Sequence, residues 1–219
     1  MEFKKEIAKT IRSLSGSKSP YDVFCDWIAL MALSMVNAPC MIHDRVWHDR
    51  EKQYMDIVKK YEREEFEKFG YMFYLLTGAF EERFSDWLGE IYMESGCGNK
   101  NTGQFFTPFN VSQLTANLSL LDDYDGSYPL EINEPSTGGG GMIIAMANVL
   151  KEKGLNFQNC MKVVAQDLDW KGVYMTFTQL SLLGIDAIVV QGDTLSEPYV
   201  KDYPRHRTFR TLRNMGGLI

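Results

Sequence analysis

The feature that most constrains this chain is the octet Glu134-Pro135-Ser136-Thr137-Gly138-Gly139-Gly140-Gly141, which joins a short strand, Leu130-Glu131-Ile132-Asn133, to an apolar helix from Met142 to about Lys153. A strand that runs into a glycine turn and then a helix opens a βαβ unit, whose next strand lies parallel to the first. The pattern then repeats. Lys162-Val163-Val164-Ala165-Gln166 reads as a second strand ending on Asp167, and a helix follows from about Trp170 to Leu183. Ala187-Ile188-Val189-Val190-Gln191 reads as a third strand, ending at Gly192-Asp193. This alternation predicts an α/β fold with a parallel sheet, helices on its faces and right-handed crossovers.

In such a sheet a ligand lies beyond the carboxyl ends of the strands. The glycine run, Asp167 and Asp193 fall at three successive ends. The glycines allow a sharp turn and a close backbone approach. Asp167 is placed to accept hydrogen bonds from ribose hydroxyls, and Asp193 from an exocyclic amine. An adenosine-bearing ligand satisfies all three. The dinucleotide fingerprint GxGxxG directs a pyrophosphate to a helix N-terminus. Here the turn begins with Glu134, which would repel that group and suits an amine-bearing ligand such as the amino-acid half of S-adenosylmethionine.

Residues 1 to about 95 read as helices. Ser19 precedes Pro20 as an N-cap precedes a first-turn proline, and Val23, Trp27, Leu30, Met31 and Leu33 follow at helical spacing. A second helix is expected over Glu51–Phe69 and a third over Tyr71–Met93, with Phe73, Leu76, Phe80, Phe84, Trp87, Leu88 and Ile91 as its buried stripe. Gly96-Cys97-Gly98-Asn99-Lys100-Asn101 breaks the periodicity. The expected division is a helical region over 1–100 and an α/β domain over 101–219.

Composition narrows the class. The chain is 45% hydrophobic and 24% charged, as an ordinary globular domain is. With Lys+Arg 23 against Asp+Glu 29, a net charge of −6 excludes a uniformly basic nucleic-acid-coating surface. No apolar run reaches the roughly 18 residues of a membrane span, and the first residues lack a signal peptide's apolar core. Cys25, Cys40, Cys97 and Cys160 form no CxxC pair, and His43 and His48 lack a third clustered ligand, so no metal site is expected. A reducing cytoplasm is the expected compartment.

Four segments in order carry a family resemblance: Gly103-Gln104-Phe105-Phe106-Thr107-Pro108, the Glu134–Gly141 octet, Ala165-Gln166-Asp167, and Gly192-Asp193-Thr194-Leu195. Over about residues 70–195 the chain resembles N6-adenine DNA methyltransferases, most closely the modification subunit of type I restriction–modification systems and its phage or mobile-element relatives. The resemblance implies a class I, Rossmann-like methyltransferase sheet that binds S-adenosylmethionine. It places Gly103, Gln104, Phe105, Phe106, Thr107 and Pro108 over the methionine part of the cofactor, and Glu134, Pro135, Ser136, Gly138, Gly139, Gly140 and Gly141 at its amino-acid end. Asp167, with its neighbour Leu168, falls at the ribose, and Asp193 at the adenine.

The chain also departs from that family. Its catalytic signature, Asn-Pro-Pro followed by Tyr or Phe, binds the amino group of the target adenine and stacks on the flipped base. This chain contains no Pro-Pro dipeptide. At about the expected distance stands Phe209-Arg210-Thr211-Leu212-Arg213-Asn214, which makes Asn214 the weak catalytic candidate. Only 26 residues follow Asp193, too few for the remaining strands of a complete methyltransferase sheet, so the sheet is expected to be truncated. Strand one then presents an unpaired edge, to be covered by the helical half, the tail, a second copy or a partner subunit. Lys201, Arg205, Arg207, Arg210 and Arg213 make the tail locally basic, a potential contact for DNA phosphates. The resemblance implies a DNA adenine-N6-methyltransferase-like protein whose catalytic site needs a partner or second copy. The alternative is a catalytically inactive cofactor-binding module serving as a regulatory or structural subunit, or as a phage–host conflict factor.

Overall fold

The computed structural model describes residues 2–16, 18–97, 106–201 and 207–215. The chain divides into two compact units: residues 1–83 with 87–105, and residues 84–86 with 106–219. The second unit therefore includes a three-residue segment, Phe84–Asp86, that the sequence-based boundary assigns to the helical region.

The first unit is helical: α1 (Phe3–Leu14), α2 (Pro20–Asn37), α3 (Arg45–Val58), α4 (Arg63–Glu82) and α5 (Trp87–Glu94). Ser19 caps α2 as expected, accepting the Asp22 N–H at 3.1 Å while the Asp22 carboxylate accepts the Ser19 N–H at 3.2 Å. Buried residues occur nearly all round α2, including Val23, Phe24, Trp27, Ile28, Met31 and Leu33. A helix apolar on every side belongs at the centre of its unit. Around it, α1 packs on α4 and α5, and α2 packs on α3.

Two of the expected helices have different boundaries. The one expected over Glu51–Phe69 is interrupted after Val58, because Glu62 starts a new helix with Glu65 accepting its N–H at 3.0 Å. The one expected over Tyr71–Met93 breaks after Glu82, where Arg83 is extended (φ −159°, ψ 157°). The break falls where Ser85 and Asp86 interrupt the apolar stripe, and both of these polar residues are buried. Among the described residues no helix is long and apolar enough to cross a membrane.

The second unit contains α6 (Phe109–Ser119), β1 (Leu130–Glu134), α7 (Gly141–Glu152), α8 (Phe157–Cys160), β2 (Met161–Asp167), α9 (Trp170–Leu182), β3 (Asp186–Gln191) and β4 (Arg207–Arg210). They form a mixed α/β fold with a four-stranded sheet in the order β1-β2-β3-β4. The first three strands are parallel, with Ile132 beside Val163 and Val163 beside Ala187. Val163, Ala165, Ala187, Val189 and Val190 are buried, as the inner strands of a covered parallel sheet require.

The fourth strand corrects the reading of the tail. β4 adds antiparallel to β3, with Phe209 beside Val189. Its anchor is apolar: the Phe209 ring lies 5.2 Å from Phe177, 5.8 Å from Tyr174 and 6.0 Å from Trp170, all edge-on. Thr211 then locks the strand end, accepting the Ala187 N–H at 3.0 Å and donating to the Ile185 carbonyl at 2.7 Å. Among the described residues, the tail thus lies along β3 and not along strand one. Among the described residues β1 pairs with β2 alone, and no residue of β1 is fully buried.

Candidate functional site

Hydrogen bonds between loops draw together the carboxyl ends of β1, β2 and β3. The Asp167 carboxylate, at the tip of β2, accepts the Gly138 N–H at 2.8 Å through one oxygen and the Asp169 N–H at 2.9 Å through the other. The Gly192 N–H donates to the Asp167 carbonyl at 2.9 Å, tying the tip of β3 to that of β2. Thr194 donates its hydroxyl to the Pro135 carbonyl at 2.6 Å, joining the loop after β3 to the loop after β1. The glycine run, Asp167 and the Gly192–Leu195 loop therefore share one end of the sheet.

The turn itself is strongly bent. The Gly140 N–H closes it on the Thr137 carbonyl at 2.8 Å, and the Thr137 N–H reaches the Gln166 carbonyl at 3.0 Å. Gly140 caps α7 in the left-handed region (φ +86°), a conformation in which a Cβ would be strained. The first amides of α7 consequently start at the ligand end of the sheet, where a helix N-terminus favours an anionic group such as an α-carboxylate. Glu134 stands half-buried at the end of β1, accepting the Ser136 N–H at 3.3 Å.

A polar stripe on α9 supports the loop from behind. Thr176 donates to the Gly138 carbonyl at 3.0 Å and lies 3.1 Å from the Thr137 hydroxyl. Gln179 donates to the Gly139 carbonyl at 2.6 Å. Gly172, on the same face, is so close to Asp167 that a Cβ there would lie 2.6 Å from its carboxyl carbon. Residues 172, 176 and 179 follow the four-then-three spacing of one helical face, beside a mainly apolar set that includes Val173, Tyr174, Met175, Phe177 and Leu180. That pattern is the sequence signal for these supports, which the motif-based reading passes over.

Electrostatics separate the two acids. Burial pushes the Asp167 carboxyl above its ordinary value, against the pull of the Asp169 and Gly138 amides. Asp193 is exposed, and the Leu195 N–H at 2.9 Å and the Ser196 hydroxyl hold its carboxyl below the usual value. Leu168 and Leu195, beside these acids, are largely exposed and offer apolar surface to a ring.

The remaining candidates are placed as follows. Phe106 lies against the turn, its ring 3.1 Å from where a Gly138 Cβ would stand. Thr107 and Pro108 are exposed, and Pro108 caps α6. Gly103, Gln104 and Phe105 lie outside the described residues, as do Gly98–Asn101. Asn214 is not brought to the site. It donates to the Asp186 carboxylate at 2.6 Å and accepts from Arg210 at 3.1 Å. Asp186 begins β3, so Asn214 stands at the opposite end of the strands from Asp167. The antiparallel run of β4 away from the ligand end carries it there, and it is withdrawn as a catalytic candidate. The tail arginines are likewise engaged: Arg207 donates to Gln191 at 3.5 Å, Arg210 to Asn214, and Arg213 to Asn159. Arg205 lies outside the described residues.

Chemically, the site offers carboxylate acceptors, a glycine cradle and small apolar walls. Asp167 uses one lone pair of each oxygen internally and retains acceptor capacity for a diol. A comparison with known families matches residues 85–211 to the model described as N-6 DNA Methylase, which is more than half of the chain. No curated protein matches the chain significantly.

Proposed function

Because this chain belongs to the N-6 DNA methylase family, we propose that its strand-tip site binds S-adenosylmethionine and that the protein acts as a DNA adenine-N6-methyltransferase-like module. The single observation that carries this reading is the convergence of Asp167, the tetraglycine turn and the Gly192–Leu195 loop, with Asp167 bonded to Gly138. The residues fit the cofactor: a Cβ would fill the cradle at Gly138, and Asp167 can still accept from two hydroxyls.

S-adenosylmethionine, when bound, supplies a sulfonium methyl group for in-line transfer to a nucleophilic nitrogen. The chain's own residues position and shelter it. Asp167 would accept from the ribose hydroxyls, while Leu168 and Leu195 would flank the adenine and Asp193 would face its amino group. Glu134 and the first amides of α7 would take the ammonium and carboxylate of the amino-acid end, and Phe106 packs against the turn at Gly138. Positioning and exclusion of water are the main contributions a protein makes to such a displacement.

The groups that would accept from the adenine amino nitrogen come, in this proposal, from a partner subunit or a second copy seated on the β1 edge. Two features support it: β1 pairs only with β2 among the described residues, and Val111, Leu114, Leu118 and Leu121 of the same unit present exposed apolar side chains. The placement of Asn214 favours a second reading, a cofactor-binding module without turnover, serving a regulatory or structural role or acting in phage–host conflict. One experiment separates the two: transfer of labelled methyl groups to unmethylated DNA, with and without co-encoded proteins. Label in DNA supports the methyltransferase reading. Cofactor binding without label under any combination supports the second.

A further inference from the structure

The buried acid Asp86 has no part in the ligand contacts described above, yet it stands directly behind the turn. It is 4% exposed and belongs to the same compact unit as the glycine run, although it precedes Gly138 by 52 positions in the sequence. A Cβ on Gly139 would lie 2.5 Å and 2.6 Å from its two carboxylate oxygens, and a Cβ on Gly141 would lie 3.4 Å from its Cβ. The fully buried Gln179 bridges the two elements with one amide nitrogen, donating to Asp86 Oδ1 at 2.8 Å and to the Gly139 carbonyl at 2.6 Å. Each of that amide's two hydrogens thus has an acceptor.

We propose that Asp86 is a positioning residue for the glycine turn: through Gln179 it fixes the Gly139 peptide, and its close packing requires glycine at 139. A glycine-rich segment has more backbone freedom to lose than any other. Bonds to the turn from Thr176 and Asp167 fix only the Gly138 peptide. The Asp86–Gln179 pair holds the carbonyl of the Gly139–Gly140 peptide, whose N–H closes on the Thr137 carbonyl, so that this peptide, which leads into the start of α7, is held at both ends. A ligand held by backbone groups of this turn then meets a prepared surface rather than one it must order, which raises affinity without any contact to Asp86. The ligand part of this inference rests on the cofactor reading above; the ordering of the turn does not.

The test combines hydrogen–deuterium exchange over residues 134–145 with calorimetric titration of S-adenosylhomocysteine, using the full chain. In Asp86→Ala, exchange over the turn should speed by about tenfold, and affinity should fall by about tenfold or more, the loss expected for a buried hydrogen-bond pair. Asp86→Asn, whose Oδ1 can still accept from Gln179, should restore both. Should Asp86→Ala not fold, Gln179→Met keeps the volume and removes the donor, and the same acceleration is expected. Unchanged exchange over 134–145 with only a lowered melting temperature would overturn the proposal. Wild-type protein that ignores the ligand while the turn loosens in Asp86→Ala would sink the cofactor reading and leave the positioning role standing.

Discussion

Replacing Gly172 by alanine moves Asp167 without removing it or touching a ligand. In the structure a Cβ at 172 would stand 2.6 Å from the Asp167 carboxyl carbon and 2.6 Å from Oδ2, whereas ordinary contact begins at 3.4 Å. The carboxylate must therefore retreat by about 0.8 Å, the difference between those distances. Oδ2 is the atom that accepts the Gly138 N–H at 2.8 Å, so the same retreat loosens the turn. Two stability effects oppose each other: alanine in the helix interior gains about 1 kcal/mol over glycine, and the forced contact costs about 1–3 kcal/mol. Net stability should therefore fall by no more than about 2 kcal/mol, and the fold should survive. Binding has no such compensation, because displacement of a positioned group by about 1 Å costs up to about a hundredfold. Calorimetric titration with S-adenosylhomocysteine should show affinity reduced by one to two orders of magnitude, while circular dichroism shows a folded protein. Unchanged affinity in a folded Gly172→Ala variant would refute the role assigned to Asp167.

Four further outcomes are expected. Affinity for S-adenosylhomocysteine should be flat at neutral pH and fall as pH drops through the raised carboxyl of Asp167, since the ligand's hydroxyls need the ionised acceptor; a titration series down to mild acid, with Asp167→Asn as control, checks this. The sign for stability is the reverse, because protonation at low pH relieves the burial penalty of Asp167 in the free protein. Phe209→Ala should cost about 3–5 kcal/mol in urea unfolding, because its ring fills the space among Trp170, Tyr174 and Phe177. Gly140→Ala should cost about 1–2 kcal/mol, also by urea unfolding, from the left-handed backbone at φ +86°.

The parallel core was legible because local signals there agree with the fold. Apolar strands ended on Glu134, Asp167 and Gln191, and each was followed by glycine or a polar turn. The first helical unit was legible in type but not in boundaries. Its apolar stripe resumes at Trp87 beyond Ser85 and Asp86 as if one helix ran on, whereas Asp86 is held outside it, accepting a hydrogen bond from the buried Gln179. β4 was not legible as a strand, since Arg207-Thr208-Phe209-Arg210 carries one large apolar residue, and its pairing depends on an aromatic cluster contributed by α9. The same non-local pairing placed Asn214 at the wrong end of the sheet for catalysis. Within the site, motif residues could be read directly. The supports on α9 were harder to read, because Gly172, Thr176 and Gln179 are marked only by their helical spacing among other polar residues of that helix, such as Lys171, Thr178 and Ser181.

A crystal structure of the chain grown with S-adenosylhomocysteine would weigh the whole reading. Electron density should show the ribose diol on the Asp167 carboxylate, the amino-acid end over Gly138–Gly141 and the adenine between Leu168 and the loop of Asp193. Density for the ligand on any other surface, or a ligand whose ribose turns away from Asp167, would contradict it.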